Sequence, residues 1–328
     1  MAMRPLKLPG DLLPLADMIV AAFQYPENPE WGIQADEEED IAREIKTLRR
    51  LWPLFRVAQL ISPTMRDIFR GFVWEEDGKL GGVVLTQRRG ATKTWMVGIV
   101  GVLPEFRRRG IARKLLTRAL DDLRARGAER VGLGVIEKNI PAYSLYKSLG
   151  FEHFSSLNEY HLVSENAPKP VTIPAGYVER VRTRSDWRSR YALEKRITPE
   201  AVAKHDPVEE GRFRTPIPAR VLGPIMDRLR KLRQGRFLYL HEGTIVGRMD
   251  YQTPGSGKGT SAISARLDPA CPELAPCILA KSLRAVLAVN PKLRVHFTAS
   301  SWMPSLNEAA EEYGFRLRVA YHMLGMTL

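Results

Sequence analysis

Between Arg107 and Ala112 the chain reads Arg-Arg-Arg-Gly-Ile-Ala. An apolar run, Trp95 to Leu103, precedes this stretch, and an amphipathic run, Ile111 to Leu123, follows it. A strand, a basic glycine-containing loop and a helix start in that order make an anion cradle. The free N–H groups of the first helical turn and the positive end of the helix dipole face the loop. Gly110 removes a side chain where a phosphate has to come close to the backbone. Arg107, Arg108 and Arg109 add charge around it. Solvated surface arginines would explain the charge, but not its place directly before a glycine and a helix start. Such a loop has the room and the donors to hold a diphosphate.

The elements that hold this loop recur. In the first half, Arg70 to Trp74 reads as a strand, Glu75 to Lys79 as an Asp-Gly hairpin turn, and Leu80 to Thr86 as the return strand. In the second half, Arg236 to Leu240, His241 to Thr244 and Ile245 to Tyr251 repeat that order. Gly78 and Gly243 stand 165 residues apart, as do Gly82 and Gly247, while Gly150-Phe151 and Gly314-Phe315 stand 164 apart. A near-constant offset over distant landmarks argues for a duplicated fold. The proline-rich stretch 164–176 reads as a linker, giving units 1–163 and 177–328. Leu6 to Leu8 is the expected opening strand, Leu12 to Phe23 and Asp36 to Trp52 helices, Arg130 to Ile136 a strand, Pro141 to Leu149 a helix, and Phe151 to Leu162 the site of the last strand of the first unit. The acidic run Asp36 to Asp40 suits a solvated helix N-terminus, and is also a source of acidity for a pocket. The fold class expected is α/β with a mixed sheet, each unit a mostly antiparallel twisted sheet flanked by helices.

Bulk properties narrow the field. The chain has 328 residues, 44% hydrophobic and 27% charged, an ordinary globular composition with length for two cores. No apolar run approaches about 18 residues, and Met1 to Asp11 lacks the pattern of a secretory signal, so a cytoplasmic protein without membrane contact is expected. Cys271 and Cys277 are not completed by further Cys or His at metal spacing; no metal is expected, and the two read as reduced structural thiols. The net charge of +13 favours acidic partners, but no aromatic-interleaved basic stripe supports nucleic acid over an Arg-rich surface. Association between copies is left open. Gly255 to Thr260 resembles a P-loop only superficially: Gln252 and Gly259 stand where that loop needs Gly and Ser/Thr, so a flexible hairpin turn is expected.

Leu103 to Ala112, followed about thirty residues later by Asn139-Ile140-Pro141-Ala142-Tyr143-Ser144-Leu145-Tyr146 and then Gly150-Phe151, resembles the GNAT superfamily of acyl-CoA-dependent N-acetyltransferases. The family loop Arg/Gln-x-x-Gly-x-Gly/Ala is met by Arg107 to Ala112. The resemblance implies acetyl-CoA as co-substrate, its pyrophosphate held by the backbone of Arg108, Arg109, Gly110, Ile111 and Ala112 with Arg113 close by. It implies a pantetheine arm lying along Val100, Gly101 and Val102, and a hydrogen bond to it from Asn139. Tyr146 would protonate the departing thiolate, a role open to a phenol of ordinary pKa about 10. Backbone N–H groups near Val100 to Val102 would meet the developing oxyanion. Read without the family, Asn139 is an N-cap before Pro141, and Tyr146 a core-facing aromatic. Some relatives place a glutamate five residues before the motif asparagine; here that residue is Gly134, which leaves a water chain, Glu105, Glu137 or an acid from Asp36 to Asp40 as base.

At an offset of 165 the cradle faces Pro272 to Cys277, where Gly110 becomes Ala275, two prolines remove donors and Glu273 opposes a phosphate. Tyr146 faces Ala310. The second unit, with a helix expected over Pro276 to Val289, is therefore read as a degenerate GNAT-like copy without a CoA site. The function expected is acetyl transfer by direct attack of a primary amine, on a small molecule or a protein N-terminus, with chemistry in the first half. The rival is a non-catalytic regulator on the same fold that senses acyl-CoA or binds nucleic acid or protein.

Overall fold

The computed structural model describes residues 2–163, 166–255 and 259–328. The first half runs β1 (Ala2–Pro5), α1 (Leu12–Ala22), α2 (Ala35–Arg50), α3 (Trp52–Ile61), α4 (Pro63–Arg66), β2 (Arg70–Glu76), β3 (Lys79–Arg88), β4 (Thr94–Val102), α5 (Ile111–Ala125), β5 (Arg130–Ile136), α6 (Ile140–Ser148) and β6 (Glu152–Leu162). The second runs β7 (Tyr177–Val181), α7 (Trp187–Ile197), α8 (Glu200–His205), α9 (Ile217–Leu229), β8 (Leu232–His241), β9 (Thr244–Pro254), β10 (Ser261–Leu267), α10 (Leu274–Val289), β11 (Val295–Ser300), α11 (Pro304–Glu312) and β12 (Arg316–Thr327).

Most of the expected elements are present, with two shifts at the N-terminal end. The opening strand lies at Ala2–Pro5, paired with Phe72 to Glu75, and not at Leu6 to Leu8. The Asp11 carboxylate captures the Lys7 N–H at 2.6 Å and turns the chain into α1. The helix expected to reach Trp52 breaks at Leu51, because Pro53 opens a new first turn in α3. Both expected hairpin turns have two central residues with positive φ, Asp77-Gly78 at 53° and 76° and Glu242-Gly243 at 50° and 75°, the type I′ geometry that matches strand twist. Gly82 lets α5 onto the sheet: a Cβ there would lie 3.1 Å from Ile111 and 3.2 Å from Leu115. Gly247 holds the same place under α10, 3.3 Å from Leu267 and 3.5 Å from Ile278.

The strands form one twelve-stranded sheet in the order β1-β2-β3-β4-β5-β12-β6-β11-β10-β9-β8-β7. Only β4–β5 and β10–β11 are parallel pairs among the described residues. The two closing strands are exchanged. β12, last in the chain, lies between β5 and β6, and β6 passes to the second half beside β11. Packing follows the exchange: Leu324 of β12 is fully buried in the first core with Leu115 and Leu133, and Tyr160 of β6 lies in the second core with Phe297. Tyr321 pairs directly with Leu157, its own counterpart at the 164-residue offset, so the two halves are related by a pseudo-twofold axis between β6 and β12. A third cluster packs Trp52 and Phe55 of α3 against Leu222 and Met226 of α9.

The stretch read as a linker runs along α10 where it is described. Arg284 donates to the Pro168 carbonyl at 2.8 Å, and the Cys277 thiol lies 3.6 Å from that of Val171. The Gly255 to Thr260 turn lies outside the described residues at 256–258, but β9 and β10 on its flanks are antiparallel neighbours.

Candidate active site

β4 and β5 are paired only from Thr94 to Val97 and from Arg130 to Leu133. Beyond these pairs they part, and a cleft of about 620 Å³ opens between Val97–Val100 on one side and Leu133–Ile136 on the other. The pairing of Leu85 with Ile99 and of Thr86 with Val97 leaves Gly98 as a β-bulge in β4, facing this gap. A bulge re-aims the backbone of the strand that carries it. The isolated glycine in an apolar strand is the sequence signal that would have marked it.

Val100, Asn139 and Tyr146 line the cleft together. Gly101 and Val102 continue β4 beyond it, paired with Val83 and Gly82. The cradle follows from the end of the same strand. Gly110 sits at φ 72°, in the left-handed region, as the N-cap of α5; no side chain caps the helix there, and nothing lies within 4 Å of where a Cβ would stand. Ile111 is buried against the sheet, which fixes the helix start in place. Arg108 also has a positive φ, 60°, and an exposed side chain. The other arginines are tied down. Arg107 donates to the Val102 carbonyl at 3.1 Å and to the Ala22 carbonyl at 2.9 Å. Arg109 pairs with Glu76 at 2.8 Å, and Arg113 donates to Ser148 of α6 at 2.7 Å. Two of the three loop arginines thus shape the loop, while its backbone and Arg108 face outward.

Asn139 caps α6, accepting the Ala142 N–H on its Oδ1 at 3.2 Å. Tyr146 is 7% exposed, and burial raises its phenol pKa above the ordinary value. It is therefore protonated through the neutral range. Tyr25 and Trp31, whose rings are 5.7 Å apart, add an aromatic wall. Of the bases considered from sequence, Glu105 is exposed and bonded to Lys79 at 2.6 Å, Glu137 is exposed, and neither lines the cleft.

Sequence reasoning missed the far wall. Glu159 of β6, His296 of β11, and Arg318 and Tyr321 of β12 enter the cleft because the closing strands are exchanged. Arg318 donates to the Glu159 carboxylate at 3.0 Å and to the Gly32 carbonyl at 2.6 Å, and pairs with Glu37. Tyr321 donates to Glu159 at 3.0 Å. Burial works against the Glu159 charge, but the hydrogen bond from His161, the Arg318 guanidinium and the Tyr321 hydroxyl together hold its carboxyl down to about 2. Burial, and the neighbouring His161, push His296 well below the ordinary imidazole range. Glu37, Glu159, His161 and His296 present donor atoms within 4.8 Å of one another, a spacing a metal ion could use. The Arg318 guanidinium already stands among them and supplies the neutralising charge.

The acidic run of α2 is only partly solvated: Glu38 is exposed, while Asp36, Glu37 and Asp40 are half-buried. Its helix start carries a capping box between Gln34 and Glu37, and its acids reach across to the second half. Asp36 pairs with Arg294 at 3.3 Å, Asp40 accepts the Thr260 N–H at 2.9 Å and its hydroxyl at 2.7 Å, and Glu44 lies 3.4 Å from Arg230. Glu37, Asp40, Glu44 and Glu159 line the cleft with Arg318, and each carboxylate has a guanidinium partner: Arg318 for Glu37 and Glu159, Arg43 at 2.7 Å for Asp40, and Arg230 for Glu44.

Residues 35–151 match the model of the Acetyltransferase (GNAT) family. The chain is 31% identical over 127 residues to N-alpha-acetyltransferase 30 of Schizosaccharomyces pombe, covering 35% of this chain and 85% of that protein. It is 46% identical over 69 residues to mycothiol acetyltransferase of Thermobifida fusca, covering 21% of each. Among solved structures, a tandem GNAT protein from the clavulanic acid biosynthesis pathway superposes with a TM-score of 0.63 at 15% identity, covering 99% of this chain and 98% of that one. The chain belongs to the GNAT family of acetyltransferases, and it is an acyltransferase enzyme with a tandem GNAT fold. Among the described residues, no helix is long and apolar enough to cross a membrane.

Proposed function

We propose that the protein transfers an acetyl group from acetyl-CoA to a primary amine, and that the chemistry belongs to unit 1–163. Unit 177–328, joined through 164–176, holds no CoA and supplies His296, Arg318 and Tyr321 to the far wall of the acceptor cleft. The observation that carries this reading is the convergence of Val100, Asn139 and Tyr146 on one cleft whose strand β4 leads directly into the Gly110 cradle.

In this reading the N–H groups of Arg108 to Ala112 hold the pyrophosphate, Arg108 and Arg113 stand beside it, and the arm lies against Val100 to Val102. Arg107 and Arg109 act by fixing the loop. The unpaired edge of β4 around the Gly98 bulge offers N–H groups to the thioester oxygen. The amine nitrogen attacks the carbonyl carbon, the oxyanion forms against that edge, the C–S bond breaks, and the Tyr146 hydroxyl delivers its proton to the thiolate sulfur. An acceptor that arrives as an ammonium ion first gives up one proton to water, so that its nitrogen carries the attacking lone pair. After the attack the added nitrogen gives up a second proton to water, and the tyrosinate is reprotonated from solvent. The two relatives are named for different acceptors, so their names do not choose between a protein N-terminus and a small molecule.

Thermal unfolding with and without acetyl-CoA tests the cofactor assignment. The wild type should melt several degrees higher with saturating acetyl-CoA, and Gly110→Pro, which cannot hold φ 72°, should lose that rise. No rise in the wild type would sink the assignment.

A further inference from the structure

β10 and β11 part after Ser264 and Thr298, as β4 and β5 part after Val97 and Leu133. A second cavity, of about 420 Å³, lies at this second gap. Its lining follows the repeat. Phe154, Leu157 and Met323 stand 164 residues from Arg318, Tyr321 and Glu159 of the first cleft, and Val202 and Asp206 stand 165 from Glu37 and Ile41. It is the pseudo-twofold counterpart of the candidate active site, with the proposed acid replaced by Ala310.

Its charge is reversed. Six guanidiniums, those of Arg89, Arg182, Arg190, Arg212, Arg248 and Arg266, line it with three carboxylates. Each carboxylate is shared by two of the arginines. Asp250 lies 2.8 Å from Arg182 and 2.9 Å from Arg248, Glu194 3.1 Å from Arg248 and 3.7 Å from Arg266, and Asp206 pairs with Arg89 and, at 3.2 Å, with Arg212. Arg190 makes no ion pair among the described residues, although Asp250 and Asp186 stand near enough to favour its charge. One of its amino groups reaches the Phe213 carbonyl at 3.4 Å, and its Nε is buried without a partner. Burial, helped by Arg182 and Arg248, holds Arg190 down to about 10, and burial also lowers Arg182, Arg212 and Arg266. Glu209 stands near Arg212, but its carboxylate also accepts the Thr94 hydroxyl at 2.9 Å. Groups that served folding alone would be matched in charge, since an unpaired buried ion is costly.

We propose that this cavity binds a compact multivalent oxyanion, with Arg190 as its principal contact and the neighbouring guanidiniums as further donors. Its carboxylate or phosphate oxygens would accept the N–H groups the protein leaves over, in the paired geometry guanidinium favours. Phe154, Phe213 and Trp302 wall the cavity and thin the water around such a charge.

The test is thermal unfolding and calorimetric titration of the full chain with citrate, inorganic phosphate and pyrophosphate, against sodium chloride at equal ionic strength. Wild type and Gly110→Pro should both be stabilised by at least one of these anions, because the cradle is not involved; citrate alone would mark a polycarboxylate ligand, phosphate or pyrophosphate a phosphorylated one. Arg190→Met should bind that anion at least about tenfold more weakly, Arg190→Lys should recover part of the affinity, and Arg190→Met without anion should melt no lower than wild type. The proposal is overturned if no anion exceeds the salt control, if the response disappears in Gly110→Pro and survives in Arg190→Met, or if Arg190→Met lowers the anion-free melting temperature and leaves the response intact.

Discussion

Tyr146 and Glu159 face the same cleft with opposite proton chemistry. The Tyr146 phenol is held protonated by burial, which suits a donor to a departing thiolate. Glu159 is held ionised by His161, Arg318 and Tyr321 against the cost of burial, which makes it a poor proton acceptor and a good anchor for Arg318. The Glu159 shift makes a prediction about stability. In the unfolded chain its carboxyl titrates near 4.5, and in the folded protein at about 2. Its stabilisation is therefore complete above 4.5 and drains away as the pH falls toward 2, because only the unfolded state takes up the proton. Glu159→Gln should be less stable at pH 7 and should lose stability less steeply than wild type below pH 4.5, measured by denaturant unfolding from pH 7 to pH 3. An equally steep loss would contradict the anchoring role.

Strands β6 and β12 do more than join the two halves of the sheet. By trading places they bring Arg318 and Tyr321 to the first cleft and Phe154 and Leu157 to the second. Leu324 measures the energetic side of the exchange, since it is fully buried in the first core yet lies four residues from the C-terminus. Leu324→Ala should cost about 2–5 kcal/mol. The loss should appear as a lower melting temperature of the whole chain in a single calorimetric transition; a separate first-half transition, with the second half unshifted, would contradict the coupling. The cradle, Asn139 and Tyr146 are legible in the sequence because each belongs to a short contiguous pattern with a local physical purpose. Glu159, His296 and Arg318 are not, because they meet only after the exchange. Period-two alternation tells which face of a strand is buried but not which strand lies beside it. The acids of α2 mislead for a related reason: Asp36 and Asp40 look like a solvated helix start until Arg294 and Thr260 arrive from 220 or more residues away.

Across the molecule, duplication has left two related clefts of opposite charge. The first has four carboxylates and one guanidinium, a phenol donor and a glycine cradle; the second has six guanidiniums, three carboxylates and no cradle. A net charge of +13 therefore says little about the lining of either cleft. In the proposed function this asymmetry lets one half carry the transfer chemistry while the other contributes to the wall and lines a second pocket. Thiol release from acetyl-CoA, followed over a panel of primary amines for wild type and Tyr146→Phe, tests whether acetyl transfer occurs in the first cleft with Tyr146 as acid. The wild type should turn over with at least one amine, and the variant should keep its KM for acetyl-CoA with a kcat lower by about a hundredfold or more. A variant that turns over as fast as wild type, or a wild type that releases no thiol with any amine, would contradict that assignment.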